Sequence, residues 1–333
     1  MKFGCSLEMV NMRVNGPNFD MMLSKSYWVE MLKLISAAGF REIELPYNPY
    51  GSDGIAFNQG RSGMPVSESA VIEKYGSVSS FLEFLNEIGI EKVPSVHISA
   101  NDTMVDLSTT GRGPEEFFDA FEKLVDEALE FLTKIGGKGL VVSPTPEIGL
   151  LAKFLGDATE VWEYEFLRKI TNLLNNSAIK AANKGLQVSI KNEFWSLIRG
   201  NKIDDFLKDL DQEILYSPDL AHLAIAGVDP VTVLTKHQNR LAYVRFSDTD
   251  FEDEENNYKS INAELPINGS QLVYRDLGDG KVDIQACYKV LVNSHYDGWV
   301  FCESKKTFNV YRGLLKMRWF IDHVITKSRG ISV

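Results

Sequence analysis

Six ionisable side chains stand where apolar runs end in the second half of this 333-residue chain. They are Lys191 and Glu193 in LQVSIKNEFW, Asp219 and His222 in LYSPDLAH, Arg245 in AYVRFSDTD and Glu303 in GWVFCESK. His97, in VPSVHISAN, stands at a similar depth in an earlier run. A strand sends successive side chains to opposite faces. Val188 and Ile190 therefore share one face, and Ser189, Lys191 and Glu193 the other. By the same alternation Ala242, Val244 and Phe246 turn Tyr243 and Arg245 the opposite way. An isolated inward charge costs several kcal/mol. A set that converges can be tolerated, because carboxylates can surround a cation. That cation is either a metal ion or the guanidinium of Arg245 itself.

Convergence requires a scaffold, and the order of elements supplies one. Candidate strands occupy 2–8, 42–47, 93–99, 138–144, 186–193, 213–219, 241–248 and 298–304. Helical periodicity fills 25–38, 75–89, 114–136, 158–184, 203–210, 230–238, 283–294 and 307–327. In PEEFFDAFEKLVDEALEFLTKIGG, Phe117, Phe121, Leu124, Ala128 and Phe131 recur at spacings of three and four, and Gly136 and Gly137 stop the helix. Eight strands alternating with helices predict a parallel sheet closed as a single (β/α)₈ barrel over residues 1–333. A doubly wound sheet is the alternative, but no GxGxxG turn follows the first strand. The long connections 47–74 and 249–282 are expected over the C-terminal face of the barrel, where βα loops build sites.

Composition narrows the partners. Net charge is −11, and the basic residues are scattered. A nucleic-acid site is expected to concentrate them. Cys5, Cys287 and Cys302 are far apart, so neither a disulfide framework nor a thiolate zinc site is indicated. No secretory leader pattern opens the chain and no apolar run has the length of a membrane span. The expectation is a cytoplasmic protein with a small-molecule partner, away from nucleic acid and membranes.

Three stretches carry a family resemblance. SPDLAHLAIAGVDP is similar to a D-x-x-H segment followed by G-x-D-P, YRDLGDGKVDIQACYKVL to an L-G-x-G-x-(V/I)-D run, and GWVFCES to a last strand ending in Glu. In this order they resemble the xylose-isomerase-like superfamily of sugar isomerases and epimerases, which also holds inosose dehydratases and abasic-site endonucleases. The resemblance implies one divalent metal, Mn or Mg first and Co or Zn next, held by Glu, Asp, His and Glu from the last four strands. Asp219 and Glu303 match the second and fourth positions. Glu193 is taken for the first, with Lys191 as the other alignment. At the third, where a His is usual, stands Arg245, which has no lone pair for a metal. Either Arg245 replaces the metal by pairing with Asp219 and Glu303, or Glu193, Asp219 and Glu303, with water or His222, keep a metal while Arg245 contacts a substrate oxygen or phosphate.

The implied chemistry is proton transfer next to a sugar carbonyl, giving isomerisation or epimerisation. Glu193 and Glu303 would act as base and acid. Lys191, His222, Arg245, His97 and Trp195 would bind substrate. Lys305 reads as a solvated charge, Arg275 as either a substrate contact or a loop anchor, and DFEDEENN as a solvated acidic loop. The competing functions are a metal-free sugar-binding or inactive partner barrel and, less favoured, an abasic-site endonuclease. The chain holds five histidines, few for a three-metal nuclease site. Family analogy also implies a homodimer or homotetramer.

Overall fold

The computed structural model describes residues 1–9, 24–49, 64, 66–155, 160–264 and 273–327. Its strands are β1 (Lys2–Ser6), β2 (Glu42–Pro46), β3 (Lys92–Ser99), β4 (Gly139–Ser143), β5 (Gln187–Ile190), β6 (Leu215–Tyr216), β7 (Tyr243–Phe246) and β8 (Trp299–Cys302). They form one sheet in the order β6-β5-β4-β3-β2-β1-β8-β7. Neighbouring strands pair parallel throughout. The ends meet through parallel bridges, Tyr216 to Leu241 and Asp219 to Arg245. Ala242 N donates to Tyr216 O at 2.9 Å and Arg245 N to Pro218 O at 2.8 Å across this seam. The result is a nearly closed (β/α)₈ barrel, as the element order predicts, and a doubly wound sheet is excluded.

Alternation along each strand divides the core. Val188, Ile190, Val244 and Phe246 pack outward among the helices. Val141, Tyr243 and Phe301 pack together inside the barrel. Two glycines leave room for those aromatics. A Cβ at Gly139 would stand 2.2 Å from the Tyr243 hydroxyl, and one at Gly4 would stand 2.7 Å from Cε1 of Phe301. Outside, the helix Phe117–Lys134 buries Phe117, Phe121, Leu124, Val125 and Ala128 along one face. Phe117 and Phe121 stack with centroids 5.6 Å apart. Each fully buried ring contributes about 2 kcal/mol.

The expected helix 75–89 is two helices, Glu68–Tyr75 and Val78–Glu87. Gly76 breaks the run at φ 83, and Ser77 caps the second helix by accepting from Ser80 N. The first of the two lies in the stretch expected to be loop. Ala100–Thr110, Ile148–Leu155 and Leu220–Ile225 are helices beyond those expected. Within the two long connections, 50–63, 65 and 265–272 lie outside the described residues.

Candidate active site

The strands' C-terminal ends carry an ionic layer. Lys191 and Glu193 follow β5, Asp219 follows β6, Arg245 is in β7, and Glu303 and Lys305 follow β8. All are buried, and Arg245, Asp219 and Glu303 are 0% exposed. Glu8, beyond β1, and Glu44, in β2, complete the ring. Local structure aims each group. Asp219 caps the helix Leu220–Ile225, its Oδ1 accepting from His222 N at 3.4 Å and from Ser247 Oγ at 2.5 Å. Its Oδ2 is left facing the barrel axis. Asn192 fastens this turn by donating to Asp219 O while its Oδ1 accepts from Asp219 N and the Tyr216 hydroxyl. The spacing from Asp219 to His222 is thus that of a helix cap and its N3 residue.

Arg245 finds its main partner across the barrel. Its Nη2 bonds Glu44 Oε1, and its Nε lies 3.2 Å from Glu303 Oε1. Ser95 donates to the other Glu44 oxygen at 2.7 Å. The expected pairing of Arg245 with Glu303 is present, but the partner expected in Asp219 is Glu44. Burial outweighs Arg245 and leaves the Glu44 carboxyl above its usual range. Arg245 itself stays charged, because Glu44, Glu8, Glu303 and Asp219 together outweigh its burial.

Lysines fill the rest of the layer. Lys191 Nζ lies 2.9 Å from both Glu8 Oε2 and Glu193 Oε1, and 3.9 Å from Asp219 Oδ2. Lys305 Nζ lies 2.8 Å from Glu303 Oε2 and 3.1 Å from Asp219 Oδ2. Lys305 was expected in solvent, yet it is only 9% exposed because the chain after β8 bends over the mouth with its partners below. Arg275 anchors the long loop, its Nε 2.9 Å from Asp250 Oδ1. The neighbouring L-G-x-G run serves Asp248, whose carboxylate accepts from the amides of Thr249, Gly278, Gly280 and Val282.

A hydrogen-bonded chain crosses the mouth from β1 to the loop after β7. His97 Nδ1 meets Glu8, and its Nε2 lies 2.9 Å from Ser143 Oγ. Ser143 donates to Glu193 Oε1 at 2.8 Å. Since that hydroxyl has one proton, it accepts from His97 Nε2. Burial opposes a second proton on the imidazole, against the pull of Glu8. His222 Nδ1 accepts from Phe194 N at 3.0 Å. Its Nε2 therefore carries the proton, 2.7 Å from Glu193 Oε2 and 3.1 Å from the Tyr274 hydroxyl. Tyr274 donates in turn to Glu264 Oε1 at 2.8 Å. Trp195 Nε1 also donates to that oxygen at 3.2 Å, and Lys306 Nζ lies 2.6 Å from Glu264 Oε2.

These contacts test the expected metal. Among the described residues, Glu193, His222 and Glu264 each bring a donor atom within 4.8 Å of one another, a possible three-residue metal-binding group. It shares Glu193 and His222 with the expected candidates but has Glu264 where Asp219 and Glu303 were expected, and the oxygens of Glu193, Asp219 and Glu303 are separated by the ammonium groups of Lys191 and Lys305. A metal needs a lone pair on His222 Nε2, but the Phe194 amide fixes that lone pair on Nδ1. The Glu193 and Glu264 oxygens already face protein donors. In this arrangement the residues present do not fit a divalent cation.

Sequence parity could have found Glu8 and Glu44. A strand extended through 2–8 would put Gly4, Ser6 and Glu8 on one face, although β1 ends at Ser6 and a 3₁₀ turn over Leu7–Met9 carries Glu8, and Ile43 and Leu45 turn Glu44 inward. Glu264, Tyr274 and Lys306 sit on irregular segments and carry no such signal.

Fold and site together define an eight-stranded parallel barrel with a buried acid–base cluster at its C-terminal mouth. A family model described as xylose isomerase-like TIM barrel matches residues 32–318, and the chain belongs to that family. An inosose dehydratase from Clostridium perfringens is 26% identical over 193 residues, covering 57% of this chain and 65% of that protein. The alignment thus spans just under two thirds of that relative's length. Among solved structures, a D-allulose 3-epimerase from Methylomonas superposes with a TM-score of 0.64 at 16% identity over 97% of each chain. A 3-keto-D-glucoside 4-epimerase from E. coli superposes with a TM-score of 0.59 at 16% identity, over 96% of this chain and 98% of that one. At these identities the superpositions establish the fold. Among the described residues no helix is long and apolar enough to cross a membrane.

Proposed function

We propose that this chain catalyses proton transfer at a carbon next to the carbonyl of a sugar or cyclitol, as an isomerase, epimerase or dehydratase. The observation that carries the reading is Glu193. Lys191 and His222 outweigh its burial and hold its carboxyl well below the usual range, so it is an anion at the mouth of the barrel. A carboxylate there can take the proton from the α-carbon while the C–H electron pair flows into the carbonyl as an enolate. Lys191 and Lys305 supply positive charge for that oxyanion. Returning the proton to either carbon or to the other face gives isomerisation or epimerisation. Expelling a β-hydroxyl, which leaves as water after protonation, gives dehydration. Glu303, between Arg245 Nε at 3.2 Å and Lys305 Nζ at 2.8 Å, holds those cations in place, and the proton taken up by Glu193 is the one returned or delivered to the leaving hydroxyl. His97 and His222 orient Glu193 through the chain of hydrogen bonds, and Trp195 borders the site.

The inosose dehydratase relatives favour a cyclic polyhydroxy ketone. A Mn or Mg ion on Glu193, Asp219 and Glu303 is the competing reading, and it requires both lysines to leave their carboxylates. The metal-free binding barrel would share this charge layer but move no proton. Three free, buried cysteines favour a reducing, cytoplasmic setting. Tyr311, Leu315 and Trp319, exposed at spacings of four on the last helix, favour assembly with a second copy.

The test is deuterium incorporation from solvent into a panel of inososes and ketohexoses, followed by NMR. Exchange or water loss on one of them is expected, falling by about 10²–10⁴-fold in Glu193→Gln. A folded protein that binds a member of the panel and exchanges nothing would be a binding barrel.

A further inference from the structure

We propose that the ammonium of Lys305 is the resident cation of this site, a built-in electrophile at the position where Asp219 and Glu303 converge. The inference rests on the proton-transfer reading and names the group that would hold the developing oxyanion.

Three observations carry it. Asp219 Oδ2 and both Glu303 oxygens are buried and accept no directed hydrogen bond. What faces Asp219 Oδ2 and Glu303 Oε2 is Lys305 Nζ, at 3.1 Å and 2.8 Å. Two buried carboxylates without a nearby cation would be untenable, and among the described residues the ammonium is the one cation that meets both, while Arg245 Nε stands 3.2 Å from Glu303 Oε1. Second, the ammonium is not used up. It has three protons, and its next carboxylate, Glu8 Oε2, is 3.7 Å away, beyond hydrogen-bond range. The two near carboxylate oxygens accept no directed hydrogen bond and the Tyr274 ring centroid is 5.8 Å away, so an N–H can turn to a ligand oxygen. Third, Lys305 borders a cavity of about 210 Å³ with Tyr274, Lys306, Phe308 and Arg312, a space that Glu193, Asp219 and Glu303 do not line, so Lys305 links it to the buried layer. Lys191 and Arg245, the other buried cations of the layer, do not line this cavity.

A ketone oxygen lying against that N–H would gain negative charge as the α-proton leaves, and the ammonium would stabilise it without changing its own protonation. No co-reactant is needed. Since three protein groups (Lys191, Lys305 and Arg245) already neutralise the carboxylates, a divalent ion has no ligand set to enter until one of them is removed.

The experiment is Mn²⁺ binding, by calorimetry and elemental analysis, on the parent, Lys305→Ala and Lys305→Ala/Arg245→His, all purified without chelator or metal-binding tag. The parent is expected to take up no Mn²⁺ and to keep its activity in EDTA. The double variant is expected to take up one equivalent. Ethylammonium is expected to restore turnover to Lys305→Ala, mainly through kcat. One tightly bound Mn²⁺ in the parent overturns the proposal, as does a folded double variant that stays metal-free or a Lys305→Ala enzyme as active as the parent. Should the alanine variants not fold, Lys305→Gln keeps the volume. Its melting temperature should rise with Mn²⁺ while the parent's does not, and equal responses overturn the proposal. Because metal uptake is read without substrate, a wrong reaction class would leave these outcomes standing and would show separately as absent proton exchange.

Discussion

Arg245 and Glu44 stand 201 residues apart in sequence and form an ion pair across the barrel axis, both sealed from solvent. A buried pair of this kind gives little net stability against an apolar pair, but losing one partner leaves a charge without compensation. Glu44→Gln should therefore lower unfolding free energy by about 3–5 kcal/mol. Glu44→Leu combined with Arg245→Met should recover most of that loss. Urea denaturation of the parent, Glu44→Gln, Glu44→Leu, Arg245→Met and the double variant measures the loss and the coupling, and additive losses would mean the two residues do not act as a pair.

Glu147 gives a pH prediction. It is buried beside Glu264 and Glu193, and its Oε2 accepts from Asn262 N at 2.9 Å. Burial, first of all, raises its pKa from 4.5 to about 7. Between those values the unfolded chain releases this proton while the folded chain keeps it, so the group's contribution falls as pH rises and levels off above about 7. Glu147→Gln removes the penalty and retains an acceptor for Asn262. Its melting temperature relative to the parent should rise from pH 4.5 to about 7 and then stay level. A difference independent of pH would contradict the assignment.

His222 should show one tautomer. ¹⁵N spectra are expected to give an unprotonated, pyridine-like Nδ1 and a protonated Nε2, because the Phe194 amide donates to the former. Adding Mn²⁺ should not move either resonance. A shift at Nε2 would show that the imidazole can turn its lone pair to a metal.

Gly4 tests the packing below the ionic layer. A methyl group there would meet Phe301 Cε1 at 2.7 Å and the carbonyl oxygen of Glu42 at 2.9 Å. The ring can yield more readily than the backbone of β2, so Gly4→Ala should cost about 1–3 kcal/mol. Calorimetric melting decides this, and an unchanged melting temperature would mean β1 has slack.

Much of this was legible before any coordinates. Alternating apolar residues specify which way a strand side chain turns, and that logic brought Lys191, Glu193, Asp219, Arg245 and Glu303 to one mouth. Applied to β2 it adds Glu44, whereas Glu8 is carried by the 3₁₀ turn after β1. It weakens past the strand end: Glu193, Asp219 and Glu303 still keep to the pattern, but Lys305, two residues past Glu303, reads as solvated because parity says nothing about how a following turn folds back. Glu264 and Lys306 are beyond it altogether, since a pair made by two loops leaves no period in the sequence. The helix Ala100–Thr110 was hidden for another reason. Its run ANDTMVDLSTT is rich in residues that favour caps and turns, and burial against its neighbours overrides that preference.

The ring of paired charges at the mouth also restricts how this barrel can diverge. A methyl group gained or lost in an oily layer can be absorbed by small movements of its neighbours, one mutation at a time. Here each cation answers to carboxylates on other strands, so a lone replacement is penalised by the partner it abandons. The layer can drift only through compensated steps, with position 245 changing in company with 44, and 305 in company with 219 or 303. Descendants of this chain should therefore either keep the whole charge pattern or exchange it in linked sets.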